Sequence, residues 1–311
     1  MQNYTNLDVA VLALELIPAT VFGLAGERAA RVAENWRRAL RIFLPALCVL
    51  PYVVISCSHH IFSWKWCALY LTLPVIIAWL LTAAAAADPE QLGNWRDAII
   101  LLVLGLAVDL RWLEGLWPSG LAGLGKLLLV DAALYGFVVV RRLRGSGFDF
   151  HFRWSDWKTG LRELAFFAPL VIALGLALGF LHPHTHPLRV SSTGTALGLW
   201  VYIFVFVAVP EELFFRAWVQ NLLENRLRPW AQARFGAEGA PRLARIGALV
   251  IASVLFGLSH FNKRSTHFNW RYVILATIAG IFYGRAWRQD RRVPASAITH
   301  ASVDAIWSLW F

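Results

Sequence analysis

The sequence predicts an all-α protein, a polytopic transmembrane helical bundle with about nine or ten spans. Composition is the first observation behind this prediction: 58% of the 311 residues are hydrophobic and only 15% are charged, whereas soluble domains are near half apolar and a quarter charged. Apolar runs of bilayer-crossing length recur along the chain. Lysine and arginine are concentrated in the short segments between these runs, which is typical of cytoplasmic loops.

The N-terminal part, predicted as residues 1–160, contains transmembrane helices of unassigned role. Arginine-rich loops follow its first and last spans, and both loops are therefore predicted to be cytoplasmic. The first span is the weakest, because Glu15 and Pro18 interrupt its apolar run. The predicted spans are Leu7–Leu24, Ile42–Cys57, Trp66–Ala87, Ala98–Leu113 and Leu121–Val140.

The C-terminal part, predicted as residues 161–311, contains the polar motifs. Its predicted spans are Leu164–Leu181, Ala196–Arg226, Ile246–His260, Tyr272–Trp287 and Ala295–Phe311. A basic connector from Arg226 to Arg245 and a second basic segment from Arg285 to Arg292 are predicted on the cytoplasmic side. One loop disagrees with this rule, because Lys263, Arg264 and Arg271 are assigned to the outer side.

The net charge of +10 reflects topology and not a nucleic-acid partner, because the basic residues lie in the loops. Membrane lipid is an expected partner. Cys48, Cys57 and Cys67 lack paired-ligand spacing and are interpreted as small apolar residues. No cleavable signal peptide is predicted, and we expect an integral, multi-pass protein of the bacterial cytoplasmic membrane.

Two adjacent glutamates lie within an otherwise apolar segment. An ionisable group inside a membrane span is costly and suggests a functional site. Glu212 and Arg216 are i,i+4 neighbours that can pair, whereas Glu211 points about 100° away around the helix. The alternatives are a buried ion pair that fixes helix register and the ordinary charges of a helix end.

Two further helices carry polar or aromatic pairs at the same spacing. Phe256 and His260 are i,i+4 neighbours, and so are His300 and Asp304. Each of these groups needs a partner away from lipid. On the predicted topology Glu211 lies near mid-depth, whereas His260 comes about fifteen residues, roughly 22 Å, into its helix. The side from which substrate enters stays open.

In this order the motifs EExxxR, FxxxH and HxxxN/D resemble those of the CPBP family of glutamic intramembrane proteases. That family includes the type II CAAX prenyl endopeptidases and the bacterial Abi, or bacteriocin-processing, proteins. The resemblance covers residues 196–311 and implies a metal-independent endopeptidase without a cofactor. Its substrate would be a membrane-associated protein or peptide that is cleaved near its C-terminus.

The resemblance also implies roles for individual residues. Glu211 and His260 would hold and deprotonate the attacking water, and His300 with residue 304 would face the oxyanion. Glu212, Arg216 and Phe256 would be structural or supporting residues. An ionised Asp304 cannot donate to an oxyanion, so we expect it to orient His300 instead.

Several alternatives remain. The sequence has no HExxH zinc-protease motif, but Glu211, Glu212, His260 and His300 could bind zinc. His182, His184 and His186 are a weaker metal candidate. The buried Glu, Arg, His and Asp groups would also suit a transporter or proton relay. A non-catalytic immunity or scaffold protein with the same fold is a third reading. The oligomeric state and the substrate are not predicted.

Overall fold

The computed structural model describes residues 4–118, 120–183, 193–263 and 267–311. Within these ranges every regular element is a helix, which confirms the predicted all-α class. Six of the described helices are long and apolar enough to cross a membrane, so the protein is an integral, multi-pass membrane protein. The predicted count of nine or ten spans is not confirmed. His184, His186 and Arg264 lie outside the described residues.

The chain forms two compact units, Met1–Arg144 and Gly145–Phe311. The division comes before the predicted boundary at residue 160, which lies inside a helix of the second unit. In the N-terminal unit the main helices are α1 (Asn6–Glu34), α2 (Arg38–Ser58), α3 (Trp64–Ala87), α4 (Trp95–Asp109) and α5 (Gly123–Val140).

Helix α1 is not interrupted where the sequence suggests. A capping box between Thr5 and Asp8 starts it, and it continues through Pro18 to a non-helical residue at Ala25. Proline is tolerated inside membrane helices because neighbouring groups can satisfy the freed backbone. Glu15 is only 3% exposed, so it is buried inside the unit and does not end the helix.

The C-terminal unit contains α6 (Trp154–Ala177), α7 (Thr193–Leu258), α8 (Trp270–Asp290) and α9 (Val293–Trp310). Helix α7 includes the predicted glutamate helix, the basic connector and the next span. The prediction of a connector loop is therefore wrong. The segment 226–245 is helical on both sides of Gly236, whose φ of 79° breaks the helix.

Gly236 turns α7 back on itself. The ring centroids of Phe215 and Phe256 lie 5.0 Å apart, and a Cβ added at Gly247 would lie 3.2 Å from Leu227. Both pairs are nearly symmetric about Gly236. Residues 193–235 and 237–258 are therefore the two antiparallel arms of a helical hairpin.

The unit has two ends that differ in charge. The ring of Phe167 on α6 lies beside that of Tyr283 on α8, and Phe180 lies beside Tyr272, so these helices are antiparallel. We call the end that contains the start of α6, the turn of α7 and the α8–α9 junction the basic end. The far end contains the end of α6, the end of α7, the start of α8 and the end of α9.

The segment before α6 is fixed to the start of α9 at the basic end. Arg292 donates to Asp156 at 2.5 and 2.9 Å and to Asp149 at 2.7 Å. The Val293 amide donates to the carbonyl of Gly147 at 2.9 Å, and the indole of Trp287 donates to that of Ser146 at 3.0 Å. These bonds set the position of α9, which carries His300.

Candidate active site

The two glutamates lie in a short α-helical turn, Val209–Glu212, between two π-helical stretches. The stretches are Phe204–Ala208 and Leu213–Gln220. π-Helical turns inside α-helices are frequently found at functional sites. Pro210 has no amide hydrogen to donate and suits the start of such a turn. No pattern in the sequence predicts these stretches.

Glu212 is the centre of a buried polar network. Its side chain is fully buried. Oε2 accepts hydrogen bonds from Arg216 Nε at 3.0 Å and from the hydroxyl of Ser296. Oε1 lies 2.8 Å from His300 Nδ1. The structure thus contains the expected Glu212–Arg216 pair and adds two partners on α9.

The contacts of His300 leave one ring nitrogen for chemistry. With Nδ1–H donating to Glu212, Nε2 faces Asp304 Oδ2 at 3.6 Å and Glu211 Oε2 at 3.9 Å. The ring is stacked on Tyr283 with a centroid distance of 4.5 Å and an interplanar angle of 15°. Glu212 therefore makes the shortest of these three contacts with His300.

His260 is fixed in a similar way at the end of α7. Its ring lies against Phe256, with the centroids 4.9 Å apart. Its Nδ1 is 2.8 Å from the carbonyl oxygen of Phe256, which can only accept, so Nδ1 carries the hydrogen. In the neutral ring Nε2 is consequently the nitrogen that can accept a proton.

One cavity of about 160 Å³ brings the predicted catalytic residues together. Glu211, His260, His300 and Asp304 all line it, and so do the supporting Phe256 and mainly apolar side chains. Glu211 Oε2 is buried, and it has no hydrogen-bond partner within the described part of the chain. A buried acceptor in that state calls for a ligand or water, because leaving it unpaired is costly.

The α7 hairpin explains why residues assigned different depths meet. Glu211 and His260 are each fifteen residues from the arginines that bound the connector, Arg226 and Arg245. Because Gly236 lies between these arginines, the two arms bring the residues to one level. The apparent difference in depth came from treating the connector as a loop.

Sequence reasoning missed two members of the site. Ser296 is i,i+4 before His300, so Ser296, His300 and Asp304 form one line along a face of α9. That spacing was visible in the sequence, but a serine is too common to single out. Tyr283 carried no such signal, because its position depends on how α8 packs against α9.

The side-chain positions also bear on the zinc alternative. Within the residues that the structure describes, no group of three or more His, Cys, Asp or Glu side chains is placed to hold a metal ion. Of the three loop histidines, His184 and His186 are outside the described residues, and His182 follows α6 at the far end.

The helices and the cavity define a multi-pass membrane protein in which glutamates and histidines line one cavity. Residues 193–306 match a family model described as type II CAAX prenyl endopeptidase Rce1-like. The match supports the assignment of this part of the chain to the CPBP/Abi family, which is a protease family. The matched range, 193–306, includes all of the predicted site residues. Comparisons with curated proteins and with solved structures gave no match.

Proposed function

We propose that the protein is a glutamic-type intramembrane endopeptidase that activates water between Glu211 and His260 without a metal or other cofactor. One observation carries the proposal. Glu211 Oε2 is a buried acceptor without a hydrogen-bond partner in the described residues, and it faces a cavity that His260 also lines. The protease family of the C-terminal part supports an endopeptidase as the class of enzyme.

The two acceptors determine how a water would be held. A water that donates one hydrogen to Glu211 Oε2 and the other to His260 Nε2 keeps its oxygen lone pairs for attack. One acceptor then takes a proton as the oxygen bonds to the peptide carbonyl carbon. The same proton passes to the leaving amine when the C–N bond breaks, so that charge and protons balance.

His300 is the candidate for stabilising the oxyanion. Its Nε2 faces the cavity, and the protonated ring can donate there to the negative oxygen. Asp304 lies on the same side of the ring, 3.6 Å from Nε2. In this mechanism Asp304 holds the ring between attacks and does not contact the oxyanion.

The remaining predicted residues support these groups. Glu212 orients His300, and Arg216 compensates the buried charge of Glu212. Phe256 packs against His260 and lies under the Arg216 guanidinium at 5.4 Å. Their positions favour roles in geometry, since Glu212 and Arg216 are fully buried in the protein.

The substrate is proposed to be a membrane-associated protein or peptide that is cleaved near its C-terminus. A lipidated tail, a peptide precursor and the sorting helix of an exported protein all fit the mainly apolar cavity. We place the protein in the bacterial cytoplasmic membrane, with about nine or ten spans once the shorter and more polar helices are counted. A role for nucleic acid is not proposed.

The experiment compares membranes from cells that carry the wild-type protein, Glu211→Gln or the control Glu238→Gln. Glu238 is exposed near the turn of α7, so its neutralisation should not affect catalysis. Mass spectrometry of protein C-termini should find products with wild type and Glu238→Gln that are absent with Glu211→Gln. Equal product levels in all three membranes would contradict the proposal.

A second candidate function is proton or ion translocation, which one observation in the N-terminal unit favours. Glu15 and Asp131 are 3% and 5% exposed within candidate membrane helices, and both oxygens of Glu15 have no hydrogen-bond partner among the described residues. Buried acids of this kind occur in proton pathways. Proton uptake by proteoliposomes that is lost in Glu15→Gln but kept in Glu211→Gln would support this function. A non-catalytic scaffold would show neither activity.

A further inference from the structure

The basic end of the C-terminal unit is the cytoplasmic end by the distribution of its cations. The segments at this end, 145–162, 226–245 and 285–292, contain twelve lysines and arginines. The segments that join helices at the far end, 178–192 and 259–271, contain four. Orientation follows the Lys and Arg count of short loops, and this threefold difference assigns the far end to the outer face.

The catalytic cavity extends from the site towards the far end. At one limit it is lined by Glu211, Tyr283 and His300, and at the other by Lys263 and Tyr272. Tyr272 begins α8 at the far end, and Lys263 follows the end of α7. Along α8 the lining residues run only from position 272 to 283, so the cavity does not reach the basic end of this helix.

A second, more polar cavity adjoins the first at the far end. Phe180 and Trp307 line both cavities, and Arg271 lines the second. The segments 178–192 and 259–271 contain no aspartate or glutamate. Lys263 and Arg271 are therefore cations at the outer opening of the site, where the positive-inside rule disfavours them. Arg271 donates to the carbonyl oxygen of Gly179 at 3.3 Å, and the carboxylates that share the cavity with Lys263 are those of the site, Glu211 and Asp304. The two cations therefore make the opening positive, which favours an anionic group of a substrate.

We propose that the catalytic cavity opens to the outer face of the membrane and that Lys263 and Arg271 bind a carboxylate of the substrate there. The substrate class is then an exported, membrane-anchored polypeptide with an acidic group beside the cleaved bond. The carboxylate could belong to an aspartate or glutamate side chain or to the chain terminus. The substrate part of this inference rests on the proposed function, whereas the orientation does not.

The orientation is tested by labelling with a membrane-impermeant maleimide. Cys48, Cys57 and Cys67 are replaced by serine, and Phe268→Cys or Ala237→Cys is added. Phe268 is 59% exposed at the far end, and Ala237 is exposed at the turn of α7. In spheroplasts whose cytosolic thiols stay unlabelled, Phe268→Cys should react, whereas Ala237→Cys should react only after lysis. Any other pattern overturns the outer opening.

The carboxylate is tested on a peptide that spans a cleavage site found in the C-terminal comparison. Lys263→Met and Arg271→Met should raise KM roughly twofold to fivefold, the range of an exposed ion pair, with kcat unchanged. The control Arg234→Met, an exposed cation near the turn of α7, should leave KM unchanged.

Two modified peptides separate the sources of the carboxylate. In one peptide the side-chain acid is amidated, and in the other the terminus. For the wild-type protein, KM should rise only for the peptide that has lost the bound carboxylate. For Lys263→Met and Arg271→Met, neither amidation should change KM. If KM is the same for every peptide, the carboxylate site is wrong. Loss of cleavage in Glu211→Gln is a separate result, so that failure of this inference and failure of the protease function can be distinguished.

Discussion

Arg216→Met should destabilise the fold strongly, because it removes one partner of a fully buried ion pair. Arg216 Nε and Glu212 Oε2 are 3.0 Å apart, and both side chains have no exposed surface. Breaking such a pair costs about 3–5 kcal/mol, since the remaining charge is left buried without compensation. Ser296 and His300 still contact Glu212, so we expect a loss near the lower value, about 3 kcal/mol.

The matched control is on the same helix. Arg228 pairs with Glu224 at the same i,i+4 spacing, but its side chain is 51% exposed. Glu224 is 1% exposed, but Arg291 also pairs with it at 2.6 Å. Its charge stays compensated when the exposed Arg228 is lost, so Arg228→Met should cost at most about 1 kcal/mol. Both free energies of unfolding are measured by SDS titration in mixed micelles with tryptophan fluorescence. A loss below about 1 kcal/mol for Arg216→Met would refute the buried pair.

Three further predictions concern the backbone, pH and metals. Gly147→Ala should lower the free energy of unfolding by about 1–3 kcal/mol, because φ is +71° and the new Cβ would lie 1.9 Å from the Arg291 carbonyl oxygen. The control Gly239→Ala, whose Cβ would meet nothing within 4 Å, should not lower it. An equal loss in both variants would contradict this prediction. Burial opposes ionisation of Asp149, but its hydrogen bonds with Arg292 and His151 lower its pKa from 3.8 to about 2. Because the folded pKa is the lower one, the stabilisation by Asp149 should be complete at pH values well above 3.8 and be lost as the pH falls to about 2. Acid titration of Arg292→Met, which keeps the His151 hydrogen bonds, should show a smaller loss. Chelators should leave the rate of peptide cleavage unchanged. A loss of cleavage that added zinc restores would favour a metal site.

Local patterns predicted much of the fold. Apolar runs located the helices of both units to within a few residues in most cases, because hydrophobic length is the main requirement for crossing a bilayer. Helical spacing placed Arg216 beside Glu212 and Phe256 beside His260, since i,i+4 contacts depend on a single helix. These predictions needed no knowledge of how helices pack.

Contacts between helices could not be predicted in the same way. The hydrogen bond from His300 to Glu212 joins residues 88 positions apart, and no local period specifies it. The helical connector was missed because its arginines and prolines resemble a loop, although Gly236 is the residue that turns the chain. Asp304 was assigned the orienting role because an ionised carboxylate cannot donate to an oxyanion, and no pattern in the sequence indicated that Glu212 also contacts His300.

The central claim is that Glu211 is the group that activates water. The most direct measurement is the cleavage rate of the identified peptide by purified wild type, Glu211→Gln and Glu238→Gln in proteoliposomes. Removing a general base lowers the rate by about 10²–10⁴-fold, so Glu211→Gln should lose at least a hundredfold while unfolding like wild type. A Glu211→Gln protein that cleaves at the rate of Glu238→Gln would contradict the mechanism.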